Sequence, residues 1–237
     1  MSTGVKGVIY MKPAGDLHER ILFISEELLH TYAYDDVTLQ MIADKLGITC
    51  GAITYHFKNK HYIVDTLIAQ YYQMVKDYID TFPELYLNVY WKNCATYILV
   101  HRVILGSPHN SALYYHKTQM KIWETHKLSK ITQNYRDIAK DFHKCASERD
   151  YLFNAYIDIG ARHRLYTEFV NANSAMTIND FCYYAVRLIG QLSNLDEATI
   201  EYNIEKAFDF ANSHETPIAP MLEPAKYAPD LTYKDFN

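Results

Sequence analysis

Apolar residues recur at helical spacing along most of the chain, and the clearest pattern lies within residues 38–60. The first half has apolar residues three and four positions apart and ends at Gly47, which can adopt the left-handed conformation that terminates a helix. The second half places Ile53 and Phe57 four residues apart, on one side of a second helix. A threonine precedes each half, where its hydroxyl can accept a bond from a free backbone N–H. The pattern therefore predicts two short helices joined by a tight turn.

The second of these helices leaves a set of small, polar and aromatic residues on its outer face. Two helices joined by a short glycine-containing turn form a helix-turn-helix, and the second helix of that motif enters the major groove of DNA. The candidates on this face are Cys50, Gly51, Ala52, Thr54, Tyr55 and His56.

The order T…IA…LGI-T-x-G-x-I-x-Y-H-F-x-N-K resembles the DNA-binding domain of the tetracycline-repressor (TetR) family of bacterial regulators. The likeness is dense from the first helix through the start of the fourth, and beyond about residue 70 it is one of length and helical layout. In the family, the lysine that corresponds to Lys60 contacts a DNA phosphate. The resemblance implies DNA contacts from Thr38, Thr49, Cys50, Gly51, Ala52, Thr54, Tyr55, His56 and Lys60.

Two residues depart from the family pattern. Thr54 stands where a phosphate-contacting tyrosine is usual, and Cys50 stands where a polar or basic residue is more usual. Which bases or phosphates this chain touches is therefore left open by the sequence.

The remaining periodicity predicts further helices and indicates an all-α protein with about ten of them. We expect a flexible arm over 1–14, a helix-turn-helix DNA-binding domain over 15–60, a helical ligand-binding and dimerisation domain over 61–213, and a tail over 214–237 that is extended or disordered because it holds four of the seven prolines. The helices predicted outside the motif cover residues 16–32, 60–82, 83–106, 111–126, 128–145, 150–171, 177–193 and 194–213.

The resemblance also implies that the helical domain binds a ligand and forms a homodimer. Aromatic residues suited to a flat or lipophilic ligand could line a cavity, although each could equally belong to a solid core. The pocket candidates are Tyr90, Tyr97, His101, Trp123 and Tyr156. Helices 150–171 and 177–193 are the candidates for the dimer interface, through Phe181, Tyr184 and Leu188.

Composition limits the classes of function. Hydrophobic residues make up 49% of the 237 residues and charged residues 22%, as in a soluble globular protein, and the net charge of −5 argues against indiscriminate binding of nucleic acid. Residues 1–62 hold six Lys and Arg against seven Asp and Glu, so we expect modest, salt-sensitive DNA affinity. The four cysteines show no CxxC spacing, and we found neither a signal peptide nor an apolar run of membrane-spanning length, which indicates reduced thiols in a cytoplasmic protein that does not bind membranes.

No catalytic motif stands out. The sequence has no GxSxG, no HExxH and no P-loop, and its eleven histidines lack the spacing of a metal site. We therefore expect no enzyme activity, no cofactor and no metal. His56 differs from the other histidines because its place in the second helix of the motif would let it donate to a phosphate.

These observations favour a homodimeric DNA-binding regulator, most often a repressor, that recognises a double-stranded operator. A small-molecule effector would act by changing the separation of the two DNA-binding domains. The alternative is a TetR-like interaction protein that serves a protein partner rather than an operator, and a helical enzyme is a third possibility.

Overall fold

The computed structural model describes residues 15–115, 124–171, 174–224 and 231–232. The predicted arm over 1–14 lies outside these ranges. The chain divides into two compact units, one ending at Leu67 and the other beginning at Ile68. We call residues 15–67 the head and the described residues from Ile68 onward the body.

Helices make up most of both units, which confirms the all-α prediction for the described residues. In those ranges, paired extended backbone is limited to one isolated antiparallel bridge between Thr177 and Thr232. The helices are α1 (Leu17–Thr31), α2 (Leu39–Leu46), α3 (Cys50–His56), α4 (Lys60–Asp80), α5 (Val89–Leu105), α6 (Pro108–Tyr115), α7 (Glu124–Asp141), α8 (Glu148–Phe169), α9 (Ile178–Leu192) and α10 (Glu197–Ser213).

The head has the two short helices and the turn that the sequence predicts. Thr38 and Thr49 each accept a hydrogen bond, 3.2 Å long, from the backbone N–H three residues further on, and so cap α2 and α3. Gly47 ends α2 in the left-handed conformation, with φ of 66°. Because α2 packs on α1 and α3 packs on α2, the three helices form one small cluster.

The start of α5 differs from the prediction, which placed it at Pro83. Residues Pro83–Leu85 form a single 3₁₀ turn instead, and α5 begins at Val89. The reason is a stronger start signal, since Asn88 Oδ1 accepts from the backbone N–H of Trp91 at 2.8 Å.

Two other helix starts also differ. The predicted helices leave out residues 107–110, yet α6 begins at Pro108, where the missing N–H of proline costs no hydrogen bond. Asp196, rather than Asn194, caps α10 by accepting from the backbone N–H of Thr199 at 2.9 Å. Asn194 has φ of 54° and lies in the tight connection after α9.

Helix α5 lies at the centre of the body. Every residue of α5 from Cys94 to Leu105 is buried, as its largely apolar and aromatic sequence predicts. Helices α6, α7, α9 and α10 pack against it, and α8 packs on α7 and α9. None of the described helices is both long and apolar enough to cross a membrane.

The described part of the tail is extended and docked on the body. Asn110 Nδ2 donates to the backbone carbonyl of Glu223, and the backbone N–H of Glu223 donates to Asn110 Oδ1, both at 2.9 Å. Met221 is fully buried. The tail packs on the body because apolar residues such as Met221 and Leu222 lie between its prolines and can be buried.

Candidate nucleic-acid interface

Helix α3 is anchored by buried side chains on its inner face and is exposed to solvent on its outer face. Ile53 is fully buried and Phe57, which follows the helix, is 4% exposed, whereas Tyr55 is 87% exposed. His56 is also exposed, and its ring stands nearly perpendicular to that of Tyr55, with 5.4 Å between their centres. A large aromatic side chain so exposed on a domain surface is typical of a binding site rather than of a core.

The small residues at the start of α3 leave its backbone accessible. A Cβ atom built on Gly51 would lie 3.7 Å from Thr49 Oγ1 and would meet nothing else within 4 Å. The fold itself therefore does not require glycine at this position. A glycine on an exposed helix face allows a ligand to approach the backbone closely.

Two candidate side chains within α3 donate hydrogen bonds inside the motif. Cys50 Sγ donates to Gln40 Oε1 at 3.2 Å, and the amide of Gln40 donates to Asp44 at 2.6 Å. Thr54 Oγ1 donates to the carbonyl of Gly51 at 3.1 Å. The structure thus adds Gln40, an exposed residue of α2, which the sequence reading missed because the α2–α3 contact is not periodic in sequence.

Lys60 has a structural role within the head. Its Nζ donates to the carbonyl oxygens of Tyr34 and Val37, both at 2.6 Å, and lies 4.1 Å from the centre of the Tyr34 ring. Burial lowers the pKa of Lys60, and the nearby carboxylates of Asp35 and Asp36 oppose that shift. Two of its three N–H donors are therefore used by the loop before α2, and its predicted phosphate contact stays a prediction.

Other contacts fix the ends of the helices that carry this surface. Asn59 Oδ1 accepts from the backbone N–H of His61 at 2.9 Å and so caps α4, as predicted. The ring of His18 stacks on Phe57, with 4.6 Å between centres, which braces the end of α3. Sequence reasoning missed His18 because a lone histidine in a first helix turn carries no distinctive signal.

The charge of the head is less negative than a count of side chains suggests. Glu27 forms an ion pair with Lys45 at 2.7 Å, which leaves the net charge of the head unchanged. Burial raises the pKa of Glu26 to about 7, which weakens its negative charge near neutral pH.

These features define the head as a helix-turn-helix domain whose second helix is presented to solvent. The sequence profile described as "Bacterial regulatory proteins, tetR family" matches residues 21–67, which span most of this helix-turn-helix domain. A crystal structure of AmtR from Mycobacterium smegmatis is similar at 16% identity, covering 83% of this chain and 96% of that chain with a TM-score of 0.36. No curated protein matches the chain.

The described pocket candidates of the body do not line one common cavity. Tyr90 is fully buried and donates its hydroxyl to the carbonyl of Val186 at 2.9 Å, so it belongs to the core. His101 is 1% exposed and stacks on Tyr97 with ring centres 3.7 Å apart. Tyr156 is half exposed on α8, because its face of that helix has no partner within the described chain. Trp123 lies outside the described residues.

Tyr97 is the pocket candidate that lines a cavity. The cavity has polar and apolar lining, a volume of about 60 Å³, and lies within the body. It is too small for the flat or lipophilic ligand expected from the sequence, since drug-sized ligands occupy roughly 300–1,000 Å³. No group of three or more potential metal ligands is present among the described residues.

The predicted interface residues separate into core and surface. Phe181 is fully buried within the subunit, where α9 packs on its neighbours, and so differs from the prediction. Tyr184 is half exposed and, with Leu188, lines an open groove of about 510 Å³ between α8 and α9.

Proposed function

We propose that the chain is a homodimeric transcriptional regulator, acting as a repressor, that inserts α3 into the major groove of a specific operator. The observation that carries this proposal is the exposure of Tyr55 on a short helix anchored by the buried Ile53 and Phe57. A helix held at its base and free on its outer side is the arrangement that groove reading requires.

A homodimer is supported by the outer face of α8 and α9. Four large apolar or aromatic side chains there, from Phe153, Tyr156, Ile157 and Tyr184, are each about half exposed. Contiguous exposed apolar surface marks an interaction site on a soluble protein. A twofold dimer would present two α3 helices, which must lie roughly 34–36 Å apart to read successive major grooves.

Regulation would follow from a ligand held by the body. A small effector with different affinities for two arrangements of the dimer shifts the population toward the one it prefers. If that arrangement spaces the two α3 helices wrongly, operator affinity falls by the same differential affinity.

The test is selection of duplexes from a random pool by the full chain, followed by binding measurements on the enriched sequence. We expect one enriched, near-palindromic site. Tyr55→Ala should weaken its binding by about 1–3 kcal/mol, while Tyr202→Ala, a half-exposed tyrosine of α10, should leave it unchanged. Absence of any enriched site at low salt would overturn the proposal and favour a protein partner.

Gly51→Ala separates a folding role from a contact role at α3. Because a Cβ meets only Thr49 Oγ1 at ordinary contact distance, the variant should fold at least as stably as the original chain. An added methyl group between the helix backbone and the groove should nevertheless weaken operator binding by about 1 kcal/mol or more. Unchanged operator affinity would remove the start of α3 from the interface.

A further inference from the structure

The small cavity of the body is lined by polar side chains from α4, α5, α7 and α8, closed by Ile189 of α9. Its volume of about 60 Å³ corresponds to about two water molecules at their share of liquid volume. A ligand of three or four non-hydrogen atoms fits such a space.

Two buried hydrogen-bonding groups of the cavity wall have no partner among the described residues. One is the hydroxyl of Tyr97, a residue that is 4% exposed, and the other is the amide nitrogen of Asn93. A buried donor without a partner costs about 1–3 kcal/mol. Both groups belong to residues that line the cavity, so an acceptor bound beside them would satisfy them.

The cavity also contains a positive charge that no described carboxylate pairs with directly. Burial lowers the pKa of Lys76, and the nearby Lys92 and Lys130 lower it further, although Asp137 and Asp80 oppose the shift. Lys76 makes no hydrogen bond or ion pair within the described residues. A negative charge beside Lys76 would favour its charged form.

The second cation of the wall is already neutralised. Arg162 is bound through two nitrogens by the fully buried carboxylate of Asp158, and its guanidinium lies 4.7 Å from the centre of the Tyr97 ring. The pair fixes the orientation of Arg162 and adds no net charge. The uncompensated charge of the cavity is thus that of Lys76, a single positive one.

We propose that this cavity binds a small, singly charged oxyanion, such as a short carboxylate, whose oxygens accept from Lys76, Tyr97 and Asn93. The lining supplies hydrogen-bond donors and one unpaired positive charge, and the cavity has room for only a few atoms. An anion of the size of formate or acetate matches the charge and the size of the cavity. That this anion acts as the effector rests on the proposed function, whereas its binding does not.

Binding is tested on the full chain by thermal melting in sodium formate, sodium acetate, sodium nitrate and sodium chloride at equal ionic strength. We expect the oxyanion salts to raise the melting temperature above that in chloride in a saturable manner, as a ligand of the folded state does. Formate and acetate acting without nitrate would identify a carboxylate, and nitrate acting equally would identify an inorganic oxyanion. Equal melting temperatures in all four salts would mean that water alone fills the cavity and would overturn the proposal.

Tyr97→Phe removes one hydroxyl and keeps the ring, so it should raise the dissociation constant roughly tenfold or more. Tyr71→Phe is the matched control, because the Tyr71 hydroxyl is likewise buried without a partner in the described chain but lies outside the cavity. Lys76→Met should abolish the response to the anions. Equal responses in Tyr97→Phe and Tyr71→Phe would place the anion elsewhere and overturn the assignment.

The effector role is measured separately, by operator binding with and without the anion. Failure to find an operator would remove the proposed function and leave anion binding intact. The anion is the effector if it stabilises or dissociates the operator complex of the original chain and has no effect on that of Lys76→Met.

Discussion

At the scale of single residues, two lysines on either side of Asn59 have different surroundings. Lys60 donates to the carbonyls of Tyr34 and Val37, whereas Lys58 is exposed and its Nζ lies 5.6 Å from the centre of the Tyr62 ring. Proximity in sequence therefore hides a division between a lysine that holds a loop and one that is available to a phosphate.

Alanine at each lysine distinguishes these roles. Lys58→Ala should flatten the dependence of operator binding on salt by about one unit of slope, because one phosphate contact is lost, and should hardly change the melting temperature. Lys60→Ala should lower the stability of the head by about 1–3 kcal/mol, since two carbonyls lose their donor. If instead Lys60→Ala flattens the dependence of operator binding on salt without any loss of stability, Lys60 contacts a phosphate, as the resemblance to the TetR family implies.

Glu26 makes stability depend on pH. Burial raises its pKa in the folded head to about 7, above the ordinary value of a glutamate in an unfolded chain. The folded state therefore binds the proton more tightly, so the contribution of this group is fully present at pH 4 and is lost as pH rises toward 7. Glu26→Gln should remove that loss, which melting at pH 5 and pH 8 measures. An identical pH dependence in the variant would show that Glu26 is well solvated.

At the scale of elements, local signals predicted most helices and failed where a better cap lay nearby. Ser147 and Thr177 cap α8 and α9 with reciprocal bonds to Asp150 and Asp180, and both helices begin within a few residues of their predicted starts. The start of α5 was not predicted correctly. Pro83 is a strong helix-start signal by itself, and the folded chain shows that Asn88 caps α5 instead.

The exposed surface of α3 was predictable for the same reason, since its face follows from helical period alone. The cavity was not, because its walls come from positions between Tyr72 and Ile189 on five different helices. No local period in the sequence relates such positions. A stripe of aromatic residues on one helix does not reveal which rings line a cavity and which pack in the core. Of the four pocket candidates within the described residues, Tyr97 alone borders the cavity.

The packing of α9 against its neighbours depends on Gly190. A Cβ there would lie 2.6 Å from the hydroxyl oxygen of Tyr90 and 2.7 Å from Ile200 Cγ1, and both side chains are buried. Gly190→Ala should therefore destabilise the body by about 1–3 kcal/mol in urea unfolding. Gly160→Ala is the control on α8, where a Cβ meets nothing within 4 Å, and it should be neutral or stabilising by up to about 1 kcal/mol. Equal effects would mean that α9 shifts freely to accept the methyl group.

At the scale of the whole molecule, assembly can be tested at two tyrosines with the same exposure. Tyr184 on α9 and Tyr202 on α10 are each 52% exposed, but Tyr184 borders the groove between α8 and α9. Placing an arginine in a buried interface leaves a charge without a partner, which costs several kcal/mol. Tyr184→Arg should therefore convert the dimer to a monomer in sedimentation and weaken operator binding, while Tyr202→Arg should remain dimeric. An original chain that is already monomeric would overturn the homodimer, and loss of the dimer only in Tyr202→Arg would move the interface from α9 to α10.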